Sequence, residues 1–102
     1  MVIIVWETWL KEGAEAEGLR ITRQIWSDMQ KVDGYVSHQL LVDQDAAQHL
    51  LLVSRWRTRE AADRSRDEYA GSEAGSKTIP RLNPLLARER GRWIFSEATG
   101  SR

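Results

Sequence analysis

The sequence predicts an α+β domain with elements in the order β-α-β-β-α-β and an antiparallel sheet covered by helices on one face. Three observations carry this. Runs rich in β-branched, aromatic and aliphatic residues stand at 2–10, 35–42, 49–56 and 88–96. Apolar residues recur at helical spacing in two stretches between them. The intervening segments carry turn chemistry, notably Lys11-Glu12-Gly13 and Asp33-Gly34.

Each element has its own signal. The first strand, 2–10, opens with Val2, Ile3, Ile4 and Val5, which fit a pleated, half-buried surface. The helix expected at 14–31 places Leu19, Ile25, Trp26, Met29 and Val32 on one face and Glu15, Glu17, Arg20, Arg23, Asp28 and Lys31 on the other. Gly34 ends it, supplying a left-handed conformation. The second strand is expected at 35–42, a polar hairpin loop at 43–48 and the third strand at 49–56. Thr58 has the chemistry of an N-cap for a second helix running to about residue 69, and Glu60 favours its positive end. Residues 70–77 are small and polar and read as a loop or a short frayed helix. The last strand is expected at 88–96, closing a domain over 1–97 with a tail over 98–102. This is the split β-α-β plan of ferredoxin-like domains.

At 102 residues the chain has room for one core. Fifteen basic residues balance fifteen acidic ones, which removes the long-range pull toward nucleic acid or anionic membrane. Neither is expected as a partner. The absence of cysteine excludes disulfides, thiolate metal sites and cysteine nucleophiles. The apolar start lacks a basic flank and is interrupted by Glu7, so neither a signal peptide nor a membrane span is expected. A bacterial, cytoplasmic setting is the default expectation.

The strands argue for a partner copy. A sheet covered on one side alternates apolar and polar residues. Here Ile3–Ile4–Val5, Leu40–Leu41–Val42 and Leu50 through Val53 put apolar groups on both faces. Two helices cover only one face, and the other is an apolar patch that monomers rarely tolerate. A homodimer pressing two sheets together is therefore expected.

The turn Leu10-Lys11-Glu12-Gly13, the run Val32-Asp33-Gly34-Tyr35, and the third-strand end Ser54-Arg55-Trp56-Arg57-Thr58-Arg59-Glu60-Ala61 together resemble the antibiotic biosynthesis monooxygenase family. That family belongs to the dimeric α/β barrel superfamily. The resemblance covers residues 2 to about 69. It implies a homodimer with a pocket between sheet and helices in each subunit. It also implies, for some members, oxygenation of polycyclic phenols without flavin, metal or haem: the phenol is deprotonated and the electron-rich anion reacts with dioxygen. Other members degrade haem. Trp56 matches the tryptophan that ends the third strand in the family. The asparagine that oxygenase members carry four residues earlier is Leu52 here, and the tyrosine six residues later is Ala62. The haem-degrading pattern also departs: its first-strand asparagine falls at Trp6, and its helix tryptophan and haem-ligating histidine fall near Ser65 and Ala74.

The expected function is thus a cofactor-independent monooxygenase acting on an aromatic or polyketide-like compound, with no cofactor. The alternative is a non-catalytic dimeric module for ligand binding or structure. The expected pocket lining is Trp6, Trp56, Tyr69, Leu52 and Trp26. His38, on an apolar strand face with Val36, Leu40 and Val42, titrates near neutral pH and suits a general base; a hydrogen-bonded structural role stays open. Glu7 is a second candidate base if desolvated, against a salt bridge to an arginine such as Arg55. His49, beside the polar loop, is expected to be solvated. His38 and His49 do not form a persuasive ligand set, and no metal is expected. The five tryptophans serve either packing or an aromatic pocket. The arginines at 55, 57 and 59 and at 88, 90 and 92 read as a solvated edge or as intersubunit ion pairs with nearby acids.

Overall fold

The β-branched start of the chain forms β1, Val2–Trp9, in the computed structural model, which describes residues 1–98. Then come α1 (Glu15–Met29), β2 (Tyr35–Asp43), β3 (Ala46–Trp56), α2 (Arg59–Gly71), α3 (Glu73–Leu82), a 3-10 turn (Asn83–Leu85) and β4 (Gly91–Ser96). The sheet order is β2-β3-β1-β4, with every neighbouring pair antiparallel. The fold is α+β and ferredoxin-like, with α3 and the 3-10 turn added between the second helix of the plan and its last strand. The tail expected over 98–102 lies, beyond its first residue, outside the described residues.

Strand pairing fixes which residues share a face. The rows Leu40–Leu52–Trp6–Arg92 and Ser54–Ile4–Ile94 face the helices. There Ile4, Leu50, Leu52 and Trp56 pack against Ile21, Ile25, Trp26 and Met29 of α1 and Ala61, Ala62 and Tyr69 of α2. The rows Gln39–Val53–Val5–Trp93 and Arg55–Ile3–Phe95 point the other way. Leu41, Trp93 and Phe95 on that outer face are 44–51% exposed, so the apolar character on both sides is realised in three dimensions.

The caps fall where the residue types place them. The Thr58 hydroxyl accepts a hydrogen bond from the Ala61 amide at 3.1 Å and starts α2. Gly34 adopts φ +89° and lets the chain turn from α1 into β2. The hairpin is tighter than expected. Asp43 pairs with Ala46 across a two-residue turn, so β3 begins at Ala46 rather than at His49. The Asp43 carboxylate accepts from the Asp45 amide at 2.9 Å, an Asx-type turn that makes a longer loop unnecessary.

Of the two readings of 70–77, loop or short frayed helix, the helical one holds, and α3 runs on past that segment to Leu82. Ser72 breaks the chain between α2 and α3 with an extended backbone, and its hydroxyl accepts from the Gly75 amide at 3.0 Å. Gly75, Ser76 and Pro80 are poor helix formers. Burial of Thr78 and Leu82 and contact of Ile79 with the core override that preference. The last strand begins at Gly91 rather than at Arg88 because residues 85–87 form a strap instead. Lys11 donates to the Leu85 carbonyl and Ala87 to the Trp9 carbonyl, both within 2.8 Å.

Candidate functional site

A cleft lies between the helix-facing side of the sheet and all three helices. Strand alternation brings Trp6, Thr8 and Leu52 to its floor. Helical spacing brings Ile25, Trp26 and Met29 from α1, and Ser65, Arg66 and Tyr69 from α2. Ile79 and Leu82 of α3 close one side, and Arg90, just before β4, closes another. The enclosed volume is about 50 Å3, room for a few waters. Trp6, one of the lining residues, is itself only half-buried.

The charges at this cleft are cationic. The guanidinium of Arg90 sits 4.9 Å from the centre of the Trp6 ring and that of Arg92 sits 5.5 Å from it. Both are half-buried, and burial pushes both pKa values below the usual guanidinium range without approaching deprotonation at neutral pH. The Tyr69 ring lines the cleft while its hydroxyl donates to the Asp28 carboxylate at 3.1 Å. Burial raises that phenol's pKa, so it remains protonated at neutral pH.

Of the residues singled out from sequence, Trp6, Trp26, Leu52 and Tyr69 meet in this cleft. Trp56 does not line it. Its ring is fully buried behind β3, with Nε1 donating to Ser54 Oγ at 3.0 Å. His38 faces a separate groove of about 280 Å3 between α1 and edge strand β2, with Trp26 common to both spaces. The Tyr35 hydroxyl and His38 Nδ1 share a hydrogen bond, and burial lowers the histidine's pKa, so the neutral imidazole is favoured. Glu7 points to the opposite face of the sheet, where its partner is His49 and not Arg55. Thr8, Thr22, Ser65, Arg66 and Arg90 were missed as cleft residues. Alternation from Trp6 could have found Thr8, whereas the arginines follow from the path of the chain after the strap. Within one chain Arg90 and Arg92 lie over the Trp6 ring and make no ion pair among the described residues.

His49 corrects another expectation, for it is not a solvated side chain. Its Nδ1 lies 2.8 Å from Asp43 Oδ2, its Nε2 lies 2.7 Å from Glu7 Oε2, and its ring stacks on Trp9 with centroids 4.1 Å apart. The hydrogen bond with Asp43 raises its pKa, and the same contact lowers that of Asp43. The signs set a window. A raised histidine pKa favours folding below its unfolded value of about 6.5 and loses that contribution as pH climbs through the folded value. A lowered aspartate pKa favours folding above about 3.9 and loses its contribution as pH falls through the folded value. The cluster therefore favours the native state most between about pH 4 and 6.5.

Among the described residues, no group of three or more histidine, cysteine, aspartate or glutamate side chains is placed to hold a metal. No helix of the described residues is long and apolar enough to cross a membrane.

A family model described as antibiotic biosynthesis monooxygenase matches residues 1–70. No curated protein matches the chain. Solved structures share the fold at low identity. A putative antibiotic biosynthesis monooxygenase from Nitrosomonas europaea superimposes with a TM-score of 0.83 at 14% identity, over 97% of this chain and 100% of that one. SnoaB, a cofactor-independent oxygenase from Streptomyces nogalater, gives 0.81 at 18% identity, over 97% and 94%. The protein Rv0793 of Mycobacterium tuberculosis gives 0.80 at 19% identity, over 99% and 98%.

Proposed function

Because the chain belongs to the antibiotic biosynthesis monooxygenase family, we propose that its cleft takes an aromatic or polyketide-like small molecule and oxygenates it without a cofactor. The observation that supports this reading is the convergence of the Trp6, Trp26 and Tyr69 rings with apolar Ile25, Met29 and Leu52 on one cleft. Flat aromatic molecules are held by such walls. The reaction balances on substrate and dioxygen alone. An activated ring CH2 that loses two hydrogens to one dioxygen becomes a carbonyl and releases one water, so no external reductant is required. Among the described residues, no imidazole or carboxylate lines the cleft. Ionisation of a ring hydroxyl is therefore assisted by the neighbouring guanidiniums rather than by a positioned base.

Oxygen uptake by metal-free protein, supplied with a panel of anthrones and hydroquinones, tests the reading. Consumption of one dioxygen per substrate oxidised, well above the buffer rate, is the expected result. A panel with no uptake above buffer removes the catalytic proposal. His38→Ala is expected to change the rate little, since Trp26 stands between its groove and the cleft.

The small enclosed volume favours a second reading, a binding module without turnover. Ligand sites commonly enclose roughly 300 Å3 or more, against about 50 Å3 here. For either reading the rim must open. The exposed Arg66 and the half-buried Arg90 at that rim have long side chains that can swing aside. Saturable binding without oxygen uptake selects the second reading.

We further propose that the outer sheet face is covered by a second copy of the chain. Val5, Val53 and Trp93 share a cross-strand row there, with Ile3 and Phe95 beside them. Sedimentation at micromolar concentration is expected to give twice the subunit mass at pH 6. Dissociation is expected to become easier as pH rises above the elevated pKa of His49, which leaves Glu7 and Asp43 on this face without a cation between them. A single-subunit species at pH 6 would falsify the dimer.

A further inference from the structure

We infer that the cleft is built for a ligand bearing an ionised acidic group, a carboxylate or an acidic ring hydroxyl, and that Arg90 is the residue that anchors it, with Arg92 alongside. The inference deepens the reading of the cleft as a ligand site and rests on it. Its basis is a charge imbalance that folding alone does not explain.

The arginines of α2 have acidic partners, whereas Arg88, like Arg90 and Arg92, lies over a tryptophan ring. Arg59 meets Asp63 at 3.1 Å, Arg64 meets Glu68 at 3.3 Å and Arg66 meets Asp67 at 3.5 Å. No ion pair among the described residues reaches Arg90 or Arg92. Both guanidiniums lie over Trp6 instead, and the Nε of Arg92 is buried without a hydrogen-bond partner. Burial lowers the Arg90 pKa; for Arg92 burial and the nearby Arg66 do the same, and the charges of Asp63 and Asp67 oppose them without forming an ion pair. Partly desolvating an unpaired cation is costly, and a ring face returns only part of that cost. Apolar packing could be had from a leucine at either position. An arginine held beside an aromatic cleft, with its donors uncommitted, is arranged for an anion that arrives from outside.

The geometry also fits the chemistry. Trp6 presents its ring to the guanidiniums and lines the cleft with the same side chain. A ligand whose flat body contacts Trp6 and Trp26 brings an acidic substituent within reach of Arg90, whose planar fork binds a carboxylate by two hydrogen bonds. The same cation favours the ionised form of a ring hydroxyl, the form that reacts with dioxygen.

The test is a binding titration, followed by tryptophan fluorescence and calorimetry at pH 7.5. Probes are benzoate, 2-naphthoate and anthracene-9-carboxylate, each beside its neutral carboxamide. The wild type is expected to prefer acid over amide by roughly tenfold or more. Arg90→Gln abolishes that preference while leaving amide binding nearly unchanged, and Arg90→Lys, which keeps the charge, retains part of it. Arg57→Gln, at an exposed position, leaves the preference intact. Equal binding of acid and amide by the wild type overturns the anion anchor and leaves the cleft reading standing. An undiminished preference in Arg90→Gln does the same. Failure of every probe, acid and amide, to bind removes both.

Discussion

Trp56→Ala is expected to lower the stability of the folded protein by about 3–5 kcal/mol, the range for removing a large aromatic side chain from a packed core. No part of Trp56 is exposed. Its ring stands edge-on to Tyr35, with centroids 5.8 Å apart, and its indole N–H donates to Ser54 Oγ. Ser54 in turn donates to the Ile4 carbonyl at 3.2 Å, so one side chain ties β3 to β1 while filling the space below α2. The substitution opens a cavity and strips Ser54 of its donor, two costs that add. Native domains are stable by only about 5–15 kcal/mol in total, so the variant stands near the limit of folding. Urea unfolding, with both proteins at one concentration because self-association contributes to apparent stability, measures the effect. The midpoint should fall with the slope nearly unchanged. A loss under about 1 kcal/mol would show that Trp56 is not the keystone its burial indicates. Trp56→Phe, which keeps most of the volume, should cost clearly less.

This reassigns a residue that sequence reading placed in the pocket. Trp56 was identified from its position at the end of the third strand, and that position is where the structure has it. A position along a strand does not say on which side of a side chain the open space lies. Here the space is on the far side of Leu52, four residues back along the same face, and the ring of Trp56 is spent on packing. The periodicities that did reach the site were those that fix a face. Alternation set Trp6 and Leu52 toward the helices, and the helical repeat set Trp26 and Tyr69 toward the sheet. Element order and the apolar outer face followed from the same patterns, because backbone geometry enforces them.

What could not be read depended on contacts distant in sequence. Glu7 and His49 lie 42 residues apart and meet only once β1 and β3 are paired. The bond to Asp43 needs the tight hairpin as well, which the polar composition at 43–48 obscured. Arg90 looked like one of three alternating arginines on an edge. Its place over Trp6 follows from the strap at 85–87, which in turn depends on α3, where Gly75 and Pro80 conceal a helix. In each case the local signal was weak or contrary, and tertiary packing decided the outcome.

Gly34→Ala is the second substitution expected to be severe, at about 2–4 kcal/mol, and it probes how α2 is set against the sheet. Gly34 has φ +89°, a conformation that costs a residue with a side chain roughly 1–2 kcal/mol. A Cβ there would stand 2.3 Å from the Cβ of Ala61, far inside van der Waals contact. Ala61 is buried in the first turn of α2, and the Gly34 carbonyl accepts from the Arg57 amide at 2.9 Å, so neither side can yield freely. Relief requires the start of α2 to move outward, and α2 carries Ser65, Arg66 and Tyr69 to the cleft. Stability and ligand binding should therefore fall together. A double-mutant cycle separates the two causes. Ala61→Gly alone costs about 1 kcal/mol through lost helix propensity, and in the Gly34→Ala background it removes the overlap while leaving the backbone strain. The pair should be less destabilised than the sum of the single substitutions, with a coupling of at least about 1 kcal/mol. Strict additivity would mean that backbone strain alone carries the effect, and that the contact between Gly34 and Ala61 does not position α2.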